Sequence, residues 1–352
     1  MNRYLWKIFL FGICLTFSSF LVFAQDSATS ITEVFRIAPS WSPDNQSIAI
    51  IQGTVLTIQN LQGRVTSVFE EATIQTISAF TWSPDQQYIA LGFSNGLVKI
   101  YDLTTQELVR TINSNGMFVT ALAWSPTRAQ IASGADPDGG DGLFIWDLQT
   151  GTQVASVATS VASLAYSRNG DYLATGSSSI NVWNTETWAN VIQFITPNDS
   201  NIFVTTMEWN LNNQILASGS MNGAVNVWSI DSSTPILSYP GSPSYERGES
   251  RGSIALSYAQ LSKTWIHDVN FVDDSDEVVS IAADGTLQRW DVGSNLILVD
   301  RQIQPLLAGA WNNSGLSLAV ISSIGTDDVS PLGSPIGDQS ALNLLQVFEG
   351  SP

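Results

Sequence analysis

The sequence predicts an all-β protein, a seven-bladed β-propeller of four-stranded antiparallel blades, on three observations. One aromatic-led turn recurs seven times along the 352 residues. Short runs of alternating apolar and polar residues, the pattern of half-buried strands, surround each recurrence. No stretch beyond residue 24 carries a helical stripe.

The recurrence is explicit in Trp41-Ser42-Pro43-Asp44, Trp82-Ser83-Pro84-Asp85 and Trp124-Ser125-Pro126-Thr127. It continues, weakened, at Tyr166-Ser167, Trp209-Asn210, Phe271-Val272 and Trp311-Asn312. The steps between these aromatics are 41, 42, 42, 43, 62 and 40 residues, so one insertion, at about 232–263, interrupts an otherwise constant period. In the second unit, strands are predicted at 77–82, 88–92, 97–103 and 107–112, with Asn95-Gly96 as the hairpin signal between the middle two. Four strands per period of this length make one propeller blade. A lone blade has two apolar faces and nothing to cover them; seven around an axis cover one another. The last unit stops after its third strand, at 343–348. Residues around 29–34 are therefore expected to supply its fourth strand and close the ring.

The third strands end in Ile100-Tyr101-Asp102, Ile145-Trp146-Asp147, Val182-Trp183-Asn184, Val227-Trp228-Ser229 and Arg289-Trp290-Asp291. With the Ser-Pro-Asp turns, these resemble WD repeats over almost the whole chain after residue 24. The first unit, 39–50, also resembles the Tol-system periplasmic propeller repeat, but the tryptophan-acid endings favour the WD reading. The resemblance implies a binding scaffold whose partners meet the face where the innermost strands begin. It also implies a buried Asp–His–Ser/Thr–Trp hydrogen-bond chain in each blade, and there this sequence departs from the family. Only Asp284 fills the aspartate place, Asn95 and Asn222 stand in elsewhere, and the usual Gly-His pair is missing throughout. Indole N–H groups must then find other acceptors, and blade stability is expected to rest on apolar packing.

Residues 1–24 read as a signal peptide: Arg3 and Lys7, an uncharged apolar run, then Val22-Phe23-Ala24 as a cleavage site. The apolar run is short for a bilayer-spanning helix, so no stable membrane insertion is expected after cleavage. The mature chain, 25–352, is expected to be secreted or periplasmic, as an exported, bacterial-type member of the family. Cys14 is the only cysteine and lies in the leader, which removes thiolate and zinc–thiolate chemistry from the mature chain. The net charge of −18 becomes more negative once the two leader cations leave. Such a surface repels phosphate backbones, so nucleic acid is a poor partner, while basic protein patches and cations suit it.

Among candidate sites, His267 is the single histidine, and no Gly-x-Ser-x-Gly elbow or His-Glu-x-x-His helix accompanies it. It aligns with Ser78, Thr120 and Thr205 at the start of the innermost strand. Phe35, Phe118, Phe203 and Trp265 occupy equivalent positions just before those strands and form a predicted aromatic rim, which His267 joins as a partner-binding surface. Asp136, Asp138 and Asp141, within Asp136-Pro137-Asp138-Gly139-Gly140-Asp141, resemble half of a calcium loop without its terminal bidentate glutamate. Asp273-Asp274-Ser275-Asp276-Glu277 is a second acidic turn. The insertion, with Arg247, Arg251 and Lys263, reads as a surface excursion of the kind that meets partners. Together these predict a protein-binding scaffold and not an enzyme. The alternatives are a calcium-dependent propeller hydrolase or lactonase, which needs acids converging on the axis, and a carbohydrate-binding module using the same aromatics. The acids group within single turns, which disfavours the hydrolase.

Overall fold

In the computed structural model the residues described are 36–70, 75–114, 116–135, 141–195, 203–239, 265–273, 275–303, 308–323 and 340–346. The leader, residues 29–34, Phe35, Asp136 and Asp138 lie outside them.

Twenty-seven strands form seven antiparallel sheets, each meandering outward from the axis. Blade 1 is β1–β4 (Arg36–Trp41, Ser47–Gln52, Val55–Asn60, Val65–Glu70) and blade 2 is β5–β8 (Ile77–Trp82, Tyr88–Phe93, Leu97–Asp102, Leu108–Asn113). Blade 3 is β9–β12 (Ala121–Trp124, Gln130–Gly134, Leu143–Asp147, Gln153–Val157) and blade 4 is β13–β16 (Ser163–Tyr166, Tyr172–Gly176, Ile180–Asn184, Asn190–Phe194). Blade 5 is β17–β20 (Val204–Trp209, Ile215–Ser220, Val225–Ser229, Pro235–Tyr239) and blade 6 is β21–β24 (Ile266–Phe271, Glu277–Ala282, Thr286–Asp291, Leu296–Gln302). Blade 7 has three strands among the described residues: β25–β27 (Ala308–Trp311, Ser317–Ser323, Ser340–Gln346).

Two expected boundaries move. The third strand of blade 7 begins at Ser340 and not at 343, and 235–239 is the outer strand of blade 5, paired with β19, so the extra length of the insertion falls after Tyr239. The segment expected to complete blade 7, 29–34, lies outside the described residues. The described ring nevertheless closes: Trp41, Ile48 and Ile50 of blade 1 pack with Ala308, Ala310, Ala319 and Ile321 of blade 7, and the Trp41 indole donates to the Ala310 carbonyl at 3.0 Å. Asn313 adds bonds to the Ser42 and Pro43 carbonyls.

Each of the seven seams is filled by one apolar cluster drawn from both neighbouring blades, so the core is a ring and not a centre. Of the repeat tryptophans, Trp41, Trp146, Trp209, Trp228, Trp290 and Trp311 are buried, while Trp82, Trp124 and Trp183 are half-buried.

Four consecutive seams share one device. Val119, Val161, Val204 and Ile266 each precede or open an innermost strand, and each sits over a glycine of the blade before it: Gly92, Gly134, Gly176 and Gly219. An added Cβ on Gly134 would lie 2.4 Å from Val161 Cγ1, and one on Gly219 2.3 Å from Ile266 Cγ2. The glycines are there for room, since a β-branched side chain occupies the hollow. The same four residues offer their carbonyls to hydroxyls of the preceding blade: Ser78 to Val119 at 2.6 Å, Thr120 to Val161 at 2.5 Å, Ser163 to Val204 at 3.3 Å and Thr205 to Ile266 at 2.7 Å. Innermost strands have one edge without a ladder, and these clasps satisfy part of it.

The turn after each innermost strand explains the recurrent motif. Ser42 and Ser83 each donate to the aspartate two residues on, at 2.6 Å, and accept the N–H five residues on, at 2.9 Å. Asn45 and Gln86 take the positive φ that the turn needs. In blades 5 and 7 a single asparagine does this work: Asn210 Oδ1 accepts from Gln214 and Ile215, and Asn312 Oδ1 from Leu316 and Ser317.

Candidate functional site

The aromatic rim is only partly as expected. Phe118 is 36 % exposed, at the connection from blade 2 to blade 3. Trp265 is 5 % exposed and packs with Met221 and Ala283, with Phe203 partly buried against them. The expectation that Trp265 faces solvent is therefore corrected: the hairpin of blade 5 carries Met221, and the two rings close over it. Phe35 lies outside the described residues. His267 is half-buried on the channel wall. Its register places it, in blade 6, where Ser78, Thr120 and Thr205 act as clasps. That is a place in the seam as much as a partner-facing one.

Asp141 is exposed and accepts a hydrogen bond from the Ser156 hydroxyl of the adjoining strand. With Asp136 and Asp138 outside the described residues, the loop is not described as a unit. Among the described residues no three His, Cys, Asp or Glu side chains gather as metal ligands.

Two cavities stand out. The first, about 400 Å³, is a groove between blades 2 and 3 at the end carrying the turns after the innermost strands. Tyr88 and Trp124 stack there, 6.3 Å between centroids and 10° between planes, with Pro84 and Pro126 beside them. Arg110 and Arg128 flank it; Arg110 is steadied by the Gln149 carbonyl at 3.0 Å and Arg128 by that of Thr185 at 2.6 Å. Val109, 53 % exposed, lines its outer side.

The second, about 260 Å³, lies in the channel where β1, β17, β21 and β25 converge. Glu208 and Asp268 both line it. This corrects the expectation that acids group only within single turns: carboxylates from two blades meet at the axis. Asp268 accepts the Thr206 hydroxyl at 3.1 Å and the Trp311 N–H at 2.8 Å. Burial pushes its carboxyl up to about 7 against those two bonds, with Glu208 adding to the rise. Burial also pushes Glu208 up to about 7, opposed by Arg168, whose Nη2 is 3.5 Å from Oε1. The Glu208 side chain remains 35 % accessible. The signal for both residues was present in the alternation: Met207 and Trp209 face the core, which turns Thr206 and Glu208 to the channel.

Both Asp268 oxygens are engaged as acceptors by groups of the neighbouring blades. The ring of seven antiparallel sheets defines the class of protein, a β-propeller with an exposed aromatic groove at one seam. A family model described as the anaphase-promoting complex subunit 4 WD40 domain matches residues 39–127, and one described as WD domain, G-beta repeat matches 151–184 and 190–229. Both stretches of the chain thus match WD40-type repeats.

It is similar to the APC/C activator protein CDC20 of Saccharomyces cerevisiae, 30 % identical over 155 residues, covering 42 % of this chain and 24 % of that one. It is also similar to the small ribosomal subunit protein RACK1y of Oryza sativa subsp. japonica, 27 % identical over 160 residues, 43 % and 46 % of the two chains. The matches thus span less than half of these relatives. Among solved structures, a chain of the crystal structure of the mitotic checkpoint complex matches with a TM-score of 0.68 and 19 % identity, over 94 % of this chain and 99 % of that one. The structure of U3-55K matches with a TM-score of 0.66 and 15 % identity, over 89 % and 96 %. At these identities the structural likeness speaks for the fold.

Proposed function

We propose that this chain is an exported scaffold that holds a protein partner at the seam between blades 2 and 3. The observation that carries the reading is the open groove with its stacked Tyr88 and Trp124, flanked by Arg110 and Arg128. Rigid aromatic and arginine side chains supply most of the energy at protein interfaces, and here the two arginines are held by backbone carbonyls. Phe118, the exposed ring of the expected rim among the described residues, belongs to the same seam at its opposite end, since antiparallel turns alternate between the two ends of a blade. The relatives are scaffold and regulatory proteins with WD repeats, in keeping with this reading. Export rests on the leader at 1–24.

The test uses the full chain as bait for an exported-protein fraction, with two variants. Val109→Glu places an acid in the groove without opening a cavity, because the side chain is already half in solvent. It is expected to weaken capture at least about tenfold. Undiminished capture by Val109→Glu with loss in Phe118→Ala would move the surface to the other end of the seam. Undiminished capture by both would remove the seam altogether.

A further inference from the structure

The channel wall carries two carboxylates that partner binding at the outer groove does not use. Asp268 joins three blades: it sits on β21 of blade 6, takes the Thr206 hydroxyl from blade 5 and takes the Trp311 N–H from blade 7. No other carboxylate among the described residues bridges three innermost strands in this way. Its two donors favour the anion on Asp268. Glu208 lies two residues beyond Thr206 on the same face of β17 and lines the same cavity. Its cationic neighbour is Arg168, from the turn after β13, at 3.5 Å and itself half-exposed. His267 is the other titratable residue lining the cavity, and β1, β5 and β25 present no ionisable side chain to it. Two carboxylates lining one cavity repel one another when both are ionised.

We propose that Glu208 and Asp268 form a proton-operated latch on the arc of blades 5 to 7. Protons held by the pair leave at most one anion in the cavity, and the Asp268 clasp on Thr206 and Trp311 holds the inner strands together. Release of the pair's protons to solvent sets two like charges in one cavity and loosens the clasp. The sign follows from linkage. Both carboxyls bind their protons more tightly in the folded chain than in the unfolded one. Their contribution is complete below the ordinary carboxylate range and is lost as pH rises through neutrality.

The experiment measures hydrogen exchange at the Trp311 amide of the full chain, corrected for intrinsic exchange, at about pH 5.5 and about pH 8. In the parent, protection at the higher pH is expected to be about tenfold lower. Glu208→Gln, which keeps the shape and removes the charge, is expected to hold its protection at both. Glu208→Ala is the second neutral variant, since Ala310 and Ala123 occupy this place in blades 7 and 3. His267→Gln is expected to keep the parent's response, and Asp268→Asn to be weakly protected at both values. A pH response that survives in both Glu208 variants, or that vanishes in His267→Gln, would overturn the latch.

Discussion

At the residue scale, the informative side chains are those that replace a missing partner. The sequence lacks the Gly-His pairs of the WD repeat, and the structure shows what three of the third-strand indoles use instead. Trp146 donates to Ser133 at 2.9 Å, Trp183 to Thr175 at 3.0 Å and Trp228 to Ser218 at 2.8 Å. In blade 3 the chain extends to Ser114, whose hydroxyl lies 3.0 Å from that of Ser133. Asn95, Asn222 and Asp284, which stand at the family's aspartate place, instead accept the N–H two residues on and shape their own hairpins. Ser218→Ala should therefore destabilise the chain by about 1–3 kcal/mol in urea unfolding, because the Trp228 N–H is left buried without an acceptor. A Trp228→Phe background should reduce that cost. The absence of the histidine was legible in the sequence. The substitute acceptors were not, because they come from the neighbouring strand, and pairing register is a tertiary fact. Trp265 was misplaced for a related reason: equivalent strand positions share a height on the ring, but Met221 of the adjacent blade decides whether a ring lies over it or out in water.

At the element scale, the turns account for the strand ends. Asp102, Asp147 and Asn184 close the third strands by accepting N–H groups from the next two or three residues. The hydrogen bond from the Thr105 N–H leads the causes that hold Asp102 below its ordinary range, and that from Thr150 does the same for Asp147. The acid of the repeat ending is thus a local turn-former. Gln106, Gly151 and Trp188 follow with positive φ. Asn210→Ala removes an acceptor for two N–H groups at the base of β18, and about 1–2 kcal/mol of destabilisation is expected in denaturant melts. Asn210→Ser, unaided by an aspartate two residues on, should recover only part of it. Because turn chemistry is local, strands in blade 2 were placed to within a residue or so. The last blade was not, since its third strand follows a long connection with several competing turn signals, among them Pro331, Gly333, Pro335 and Gly337, and no single one anchors the count.

At the scale of the whole molecule, stability resides in the seams. Gly134→Ala would drive a Cβ to 2.4 Å from Val161 Cγ1, and such overpacking costs about 1–3 kcal/mol. The double variant Gly134→Ala/Val161→Ala should recover part of that loss, and a thermal-unfolding double-mutant cycle reads the coupling. An equal cost with valine present or absent would show that the hollow is not the source. Nothing in a single repeat announces this arrangement, since glycine and valine stand 27 residues apart and meet only once the ring forms. The ten-residue offset from each lead aromatic to Gly92, Gly134, Gly176 and Gly219 becomes Ile51, Ile281 and Ile321 in blades 1, 6 and 7. The two arcs are therefore packed differently. In the glycine arc, the hollow lies late in one repeat and the residue that fills it opens the next. A copy of that repeat set down behind itself arrives with its joint already made. A ring of this kind can lengthen by duplication without inventing a new contact.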